Sequence, residues 1–321
     1  LNLLTTQTRN QAYDYLRQYQ KELLIKELIN GYNGLQGLIV KKGNQEQNLE
    51  FFKKKVQEAE ILFQANRITK TDLLDFQNEL INAESLLFDY DRQIDNLMLQ
   101  LNKLLDLELT DEDVNFSFSI NIPNQLIEKK IFSELMNSSY GYYLSFLEKT
   151  YMPELEMSKK DLLPSVDLSY SLSDTDKFSN SVNHRRSSSL SLTMTVPLYD
   201  GYKDENNFDV DRYEYQKKLL EQKDLKKDML NTYLESWNNY DYYNLKINNQ
   251  KKIIETLTLK LKGDEILYKA QKISVTRFIE TKNELNDANN DLLDLMTQQK
   301  YYLLDIIILN NDLENVINGL G

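Results

Sequence analysis

The strongest constraint on this chain is that it repeats itself. Glu60-Ile61-Leu62-Phe63-Gln64-Ala65-Asn66-Arg67-Ile68-Thr69 realigns with Glu265-Ile266-Leu267-Tyr268-Lys269-Ala270-Gln271-Lys272-Ile273-Ser274 at an offset of 205 residues. The match runs on without a gap, Thr71, Asn78, Glu79, Leu80, Ala83 and Leu87 recurring as Thr276, Asn283, Glu284, Leu285, Ala288 and Leu292. Upstream, the same offset pairs Tyr32 with Trp237. Coiled coils can mimic weak repeats, but this run of identities exceeds what helical composition alone supplies and reads as a duplication.

Within each copy the apolar residues keep helical spacing. Leu225, Met229, Leu230, Tyr233, Leu234, Trp237 and Tyr240 mark one arm, and Leu285, Ala288, Leu292 and Leu295 mark the next. Only 9 Gly and 4 Pro punctuate the 321 residues, so long helices with few turns are the default. An unbroken arm from about Lys203 to Lys269 would run on the order of 100 Å at 1.5 Å per residue. Few globular cores are that long, and a coiled-coil tube or rod follows. The helices break at Asn66 to Thr69 and at Gln271 to Ser274. Thr69 and Ser274 are placed to cap the returning arms there, and Asp72 and Asp75 suit the positive end of the first. Two parallel hairpin tips therefore belong at one end.

A second signal lies between the repeats. Val166-Asp167-Leu168-Ser169-Tyr170-Ser171-Leu172-Ser173 alternates strictly, and Ser189-Leu190-Ser191-Leu192-Thr193-Met194-Thr195-Val196 does so again after a polar loop. One face is Val, Leu, Tyr and Met; the other is Asp, Ser and Thr. A soluble sheet with one packed face alternates in the same way, but no nearby strands remain to bury this apolar face, and lipid is a substitute. The long polar loop from Asp174 to Ser188 suits the outer side of a membrane barrel, its His184-Arg185-Arg186 reading as solvated surface. No run approaches the roughly 20 apolar residues of a membrane-spanning helix. The longest, Tyr301 to Leu309, is interrupted by Asp305. Any membrane segment must then be β.

Composition removes several function classes. A net charge of −12 argues against a nucleic-acid backbone as partner. With no Cys and a single His, disulfide frameworks, thiolate metal sites and most nucleophilic and zinc chemistry fall away. A helical-bundle metalloenzyme would need Glu-x-x-His ligands on facing helices, whereas His184 lies in the polar loop. Asp111-Glu112-Asp113 lacks the ligand spacing and Gly of a calcium loop. No catalytic residue, metal site or cofactor is expected.

Three motifs then occur in a specific order: Leu162-Leu163-Pro164-Ser165 entering the first strand, Val196-Pro197-Leu198-Tyr199-Asp200-Gly201 leaving the second, and the repeated Ala-x-x-Ile-Thr/Ser tip. Each is weak alone; in this order they resemble the TolC family of outer-membrane factors over essentially the whole chain. The resemblance implies a mainly α fold with a membrane β-hairpin. It is the protomer of a long α-helical coiled-coil barrel that contributes strands to a trimeric outer-membrane β-barrel. Residues 1–112 would form the first-repeat long helical hairpin with its tip near 66–69, and 113–123 an equatorial strand segment, where Val114 to Ile120 alternates. Residues 124–163 would form a helix leading to the membrane, kinked at Pro153. The transmembrane β-hairpin and its external loop would occupy 164–202. The second-repeat helical hairpin, its tip near 271–274, and a C-terminal equatorial end would fill 203–321. Residue 1 aligns with Asn206, so a signal peptide, a first helix and a first hairpin are expected upstream of it.

The function so implied is that of a passive duct in the bacterial outer membrane, extending into the periplasm. It would belong to a tripartite efflux or type I secretion system exporting small molecules or proteins. Its partners would be two further copies of itself in a homotrimer, outer-membrane lipid, a periplasmic adaptor (membrane fusion) protein and an inner-membrane RND or ABC transporter. By the same resemblance the tips Asn66, Arg67, Ile68, Thr69, Gln271, Lys272, Ile273 and Ser274 would dock the adaptor's helical hairpin. Family members usually carry Gly where Asn66 and Gln271 stand, and Asn66 is the easier fit to a left-handed turn. The family also narrows its tunnel near the tips with acidic side chains, onto which Arg277 and Glu280 map. With Asp72 and Asp75 they form the candidate pore constriction. Glu280 keeps the charge and Arg277 does not, so Glu280 is the candidate for cation binding or a charge-dependent gate, against an ordinary solvated helix face. The alternative is a soluble coiled-coil scaffold, which explains the helices and the charge but not the paired alternating strands.

Overall fold

With so few Gly and Pro to stop them, the helices run long. The computed structural model describes residues 2–106, 129–159, 163–175, 185–196 and 201–318. Their elements, in order, are α1 (Asn2–Gln64), α2 (Lys70–Leu105), α3 (Phe132–Leu135), α4 (Ser139–Ser158), β1 (Ser165–Thr175), β2 (Arg185–Thr195), α5 (Lys203–Lys269), α6 (Val275–Leu309) and α7 (Leu313–Asn318). The strand reading for 113–123, the acidic cluster at 111–113 and His184 lie outside the described residues.

Among the described residues of the segment expected as one helix over 124–163, the helix is interrupted. Ile131 is extended at φ −80° and ψ 162°, and a turn at 136–138 separates α3 from α4. Local side-chain bonds explain the break. The Glu134 carboxylate accepts the Ile131 N–H at 2.8 Å, and Ser138 Oγ donates to the Leu135 carbonyl at 2.7 Å, so side chains satisfy backbone groups that a continuing helix would have paired. Pro153 falls inside α4.

The chain divides into two compact units, one comprising Leu1–Leu16 with Tyr140–Met229, the other Arg17–Ser139 with Leu230–Gly321. In the first, Tyr15 stacks on Tyr142 at 4.9 Å and on Phe146 at 5.4 Å. The buried Gln222 amide donates to the Leu144 carbonyl and accepts the Tyr151 hydroxyl at 3.1 Å, tying α5 to α4. Burial, with the nearby Tyr143, Glu154, Glu148 and Glu221 adding to it, pushes the Tyr151 phenol up to about 12. Burial also works to raise Glu154, but hydrogen bonds and charge from Lys218 and Arg9 outweigh it and hold that carboxyl below its usual range.

The same unit carries the β-hairpin. Its strands pair antiparallel, Val166 opposite Met194, Leu168 opposite Leu192 and Tyr170 opposite Leu190. Period-2 alternation makes the two faces chemically opposite. On one, Val166, Leu168, Tyr170, Leu172, Leu190, Leu192 and Met194 are each 62–72% exposed. On the other, serine hydroxyls share hydrogen bonds across the strands: Ser169 with Ser191 at 2.6 Å, Ser171 with Ser189 at 2.7 Å and Ser173 with Ser187 at 2.7 Å.

In the second unit the amphipathic faces of α1, α2, α5 and α6 meet in separate apolar clusters. Ile29 packs with Leu303, Leu304, Ile307 and Ile308 of α6 and with Leu313 and Val316 of α7. Leu35 packs with Met98 and Leu101. A Cβ at Gly31 would lie 2.7 Å from Leu101 Cδ2, so the glycine lets α2 seat closely on α1. The third cluster, Phe52, Val56, Ala59, Phe76, Ala83, Val275, Phe278 and Ile279, lies directly beneath the hairpin tips. Among the described residues no helix is long and apolar enough to cross a membrane.

Candidate functional site

At the two tips the outgoing helices end the same way, bond for bond, at the repeat offset. At the end of α1 the Asn66 N–H reaches the Phe63 carbonyl at 2.9 Å and the Arg67 N–H reaches Leu62 at 2.8 Å. At the end of α5 the Gln271 N–H reaches Tyr268 at 2.8 Å and the Lys272 N–H reaches Leu267 at 2.8 Å. This is a Schellman ending, which requires a left-handed residue after the helix. Asn66 supplies it at φ 53° and Gln271 at φ 58°. Gln271, the less obvious fit, adopts the turn as fully as Asn66.

The returning helices start from caps. Thr69 is extended at φ −79° and ψ 161°; its hydroxyl accepts the Asp72 N–H at 3.1 Å while Asp72 Oδ2 accepts the Thr69 N–H at 2.9 Å, a complete capping box. Ser274 caps α6 by accepting the Arg277 N–H at 3.2 Å. Here the box stays open, because Arg277 stands at the position of Asp72 and has no acceptor to return the bond.

Two contacts bring the tips together. Gln271 Nε2 donates to the Arg67 carbonyl at 3.2 Å, and Thr276 Oγ1 donates to Asp75 Oδ2 at 3.3 Å. Ile68 and Ile273 are half-buried against the apolar cluster below, where Tyr268 stacks on Phe278 at 5.0 Å and 7°. These isoleucines anchor the tips, while Asn66, Arg67, Thr69, Gln271, Lys272 and Ser274 are exposed. Glu280 is exposed on α6, and among the described residues it makes no hydrogen bond or ion pair with Arg277, Asp72 or Asp75. The structure therefore joins Arg67 to Gln271 and Asp75 to the Thr276 side chain without drawing the four candidate constriction residues into one cluster within a single chain.

Sequence reasoning did not single out Lys70 and Lys269, both exposed at the same tips. It also missed Lys282, whose ammonium lies 5.1 Å from the centre of the Phe51 ring and is pushed down by burial. The repeat offset was the available signal for the unmatched cap, since it places Arg277 on Asp72. Among the described residues no cluster of His, Cys, Asp or Glu is arranged to hold a metal ion.

Residues 154–306 match the outer membrane efflux protein family, a segment that runs from α4 through the β-hairpin and the second tip into α6. The fold is similar to that of a membrane protein from Pseudomonas aeruginosa (TM-score 0.82, 15% identity, 95% of this chain and 70% of that one). It is also similar to the outer membrane protein VceC from Vibrio cholerae (TM-score 0.78, 12% identity, 95% and 74%). The Campylobacter jejuni CmeC outer membrane channel is alike to the same degree (TM-score 0.78, 11% identity, 98% and 70%). At such identities the likeness is one of fold. No curated protein matches the chain.

Proposed function

We propose, on the match of residues 154–306 to the outer membrane efflux protein family, that the chain is the outer-membrane duct of a tripartite efflux or type I secretion assembly. Three copies would close a barrel through which small molecules or proteins leave passively. The observation that carries this reading is the two-faced hairpin, with its exposed apolar row on one side and serine ladder on the other. Apolar-out and polar-in is what a strand pair needs to stand between lipid and a wet lumen. Its open edges require strands from neighbouring copies, because unpaired backbone groups are not tolerated in hydrocarbon.

In this reading the paired tips are the docking end for a periplasmic adaptor, and an inner-membrane RND or ABC transporter supplies the driving force. Glu280, with Asp72 and Asp75, would line the narrowing of the tunnel, where Arg277 does not keep the acidic charge. A soluble coiled-coil scaffold is the rival, and it leaves the hairpin's apolar face without a solvent that suits it.

The test is planar-bilayer conductance of the detergent-extracted protein, with mass determination to count subunits and Glu280→Ala as a second sample. Trimers forming discrete channels support the duct, and altered conductance in Glu280→Ala supports the constriction. A detergent-independent, channel-free rod would overturn the proposal in favour of the scaffold.

A further inference from the structure

We infer that the tip surface is shaped for a carboxylate-rich partner, so that the docked end of the adaptor hairpin presents Asp or Glu side chains to Arg67, Lys70, Lys272 and Arg277. This rests on the docking reading above and adds the chemistry of the partner.

Charge distribution is the first argument. The chain carries −12 overall, yet the matching stretches at its two tips, 64–72 and 269–277, hold Arg67, Lys70, Lys269, Lys272 and Arg277 against Asp72 alone. All five cations are exposed. Lys269 is paired with Glu265 at 2.8 Å; among the described residues the other four make no ion pair. The nearest carboxylates on α2 are already engaged, Asp72 by its own cap and Asp75 by Thr276.

The second argument is local cost. Arg277 forgoes the capping box that Asp72 completes in the first repeat, and it puts a cation at the positive end of α6. Lys70 does the same at the first residue of α2. An ordinary solvated face gains nothing from cations set against the helix dipole. A partner's carboxylates would offset both unfavourable choices at once. Residues that break a local rule without repayment inside the chain mark a functional surface.

Rigidity is the third. Schellman endings, N-caps and the bond from Gln271 to the Arg67 carbonyl fix the backbone from which these side chains project, a platform that specific charge recognition can use.

The experiment uses the full chain in detergent and two synthetic helical hairpins that differ only in their turn, one with Glu and one with Lys. The Glu hairpin should bind about tenfold or more tighter at low salt, as several exposed pairs of modest strength would add up to. Its advantage should shrink as salt screens it. Arg67→Glu/Lys272→Glu should reverse the preference. Arg67→Gln/Lys272→Gln, a milder pair that spares the fold, should abolish it. Equal binding of both hairpins would overturn the charge inference and leave tip docking standing. Binding of neither would remove the docking reading, and the inference with it.

Discussion

Inside the second helical hairpin, Thr281 donates its hydroxyl to Asp264 Oδ2 at 2.7 Å. Asp264 is 6% exposed and Thr281 1%. At the corresponding positions of the first hairpin stand Ala59 and Phe76, both buried in the apolar cluster. One repeat solves the site with volume, the other with a hydrogen bond. Thr281→Val should therefore cost about 1–3 kcal/mol by stranding a buried carboxylate oxygen, with Thr281→Ser closer to the parent. The double change Asp264→Ala/Thr281→Phe, which copies the first repeat, should cost less than the sum of its parts in a thermal-unfolding cycle. Additive losses would refute the equivalence.

The open cap at Ser274 makes a second prediction. Arg277→Asp supplies the acceptor that Asp72 provides in the first tip, and it should stabilise α6 by roughly 0.5–1 kcal/mol. Thermal unfolding reads the gain, and the Glu-tipped hairpin described above should bind the same variant more weakly. Stability and docking are expected to move in opposite directions.

At the left-handed turns, Asn66→Gly should be close to neutral, because glycine adopts positive φ without strain. Gln271→Val should cost about 1–2 kcal/mol, since a β-branched side chain at φ 58° meets the following carbonyl. Unfolding midpoints of the two variants, compared with the parent, check this.

On the β-hairpin, Leu168→Arg and Leu192→Arg put charge on the exposed apolar face. Each should impair outer-membrane insertion by about 2–4 kcal/mol if placed near the bilayer midplane. Ser171→Asn, on the serine face, should leave insertion intact. Fractionation into outer-membrane and soluble pools distinguishes the two faces, and equal effects from both would contradict their assignment.

Glu22 predicts a pH dependence. Burial raises its carboxyl above the ordinary value of 4.5, opposed by hydrogen bonds from Ser139 and Gln18 and reinforced by the nearby Glu314. Oε2 is buried and has no hydrogen-bond partner among the described residues. The folded state then holds this proton more tightly than the unfolded chain does. Its contribution is fully present below 4.5 and is lost as pH rises through the raised value. Glu22→Gln cannot ionise, so it should gain stability relative to the parent as pH climbs above 4.5, with the difference levelling off once Glu22 is ionised in both states. A stability difference that does not change with pH would rule this out.

Much of this molecule was readable because its signals are local. The helical arms follow from a 3.6-residue apolar period, the hairpin from a period of two, and the caps at Thr69 and Ser274 from side chains reaching a backbone group three residues on. The duplication needed only the chain laid against itself. The interruption at α3 was not legible in that way, because Ile131 is no usual cap and the bond that starts α3 is accepted by the Glu134 carboxylate. The turns between the helices fall after Gln64 and after Lys269, but only folding decided that Ile68 and Ile273 turn inward while the cations stay exposed.

The sequence by itself determined the repeat, the long helices and the alternating strands, because each is set by residues a few positions apart. The tertiary structure alone decided the cross-links between distant parts: Gln271 to the Arg67 carbonyl, Thr276 to Asp75, and the twin bonds from Gln45 to Ala83 at 3.0 Å and Gln250 to Ala288 at 2.9 Å. Such bonds depend on how helix faces turn toward one another when apolar surface is buried, and no pattern confined to one helix specifies that rotation.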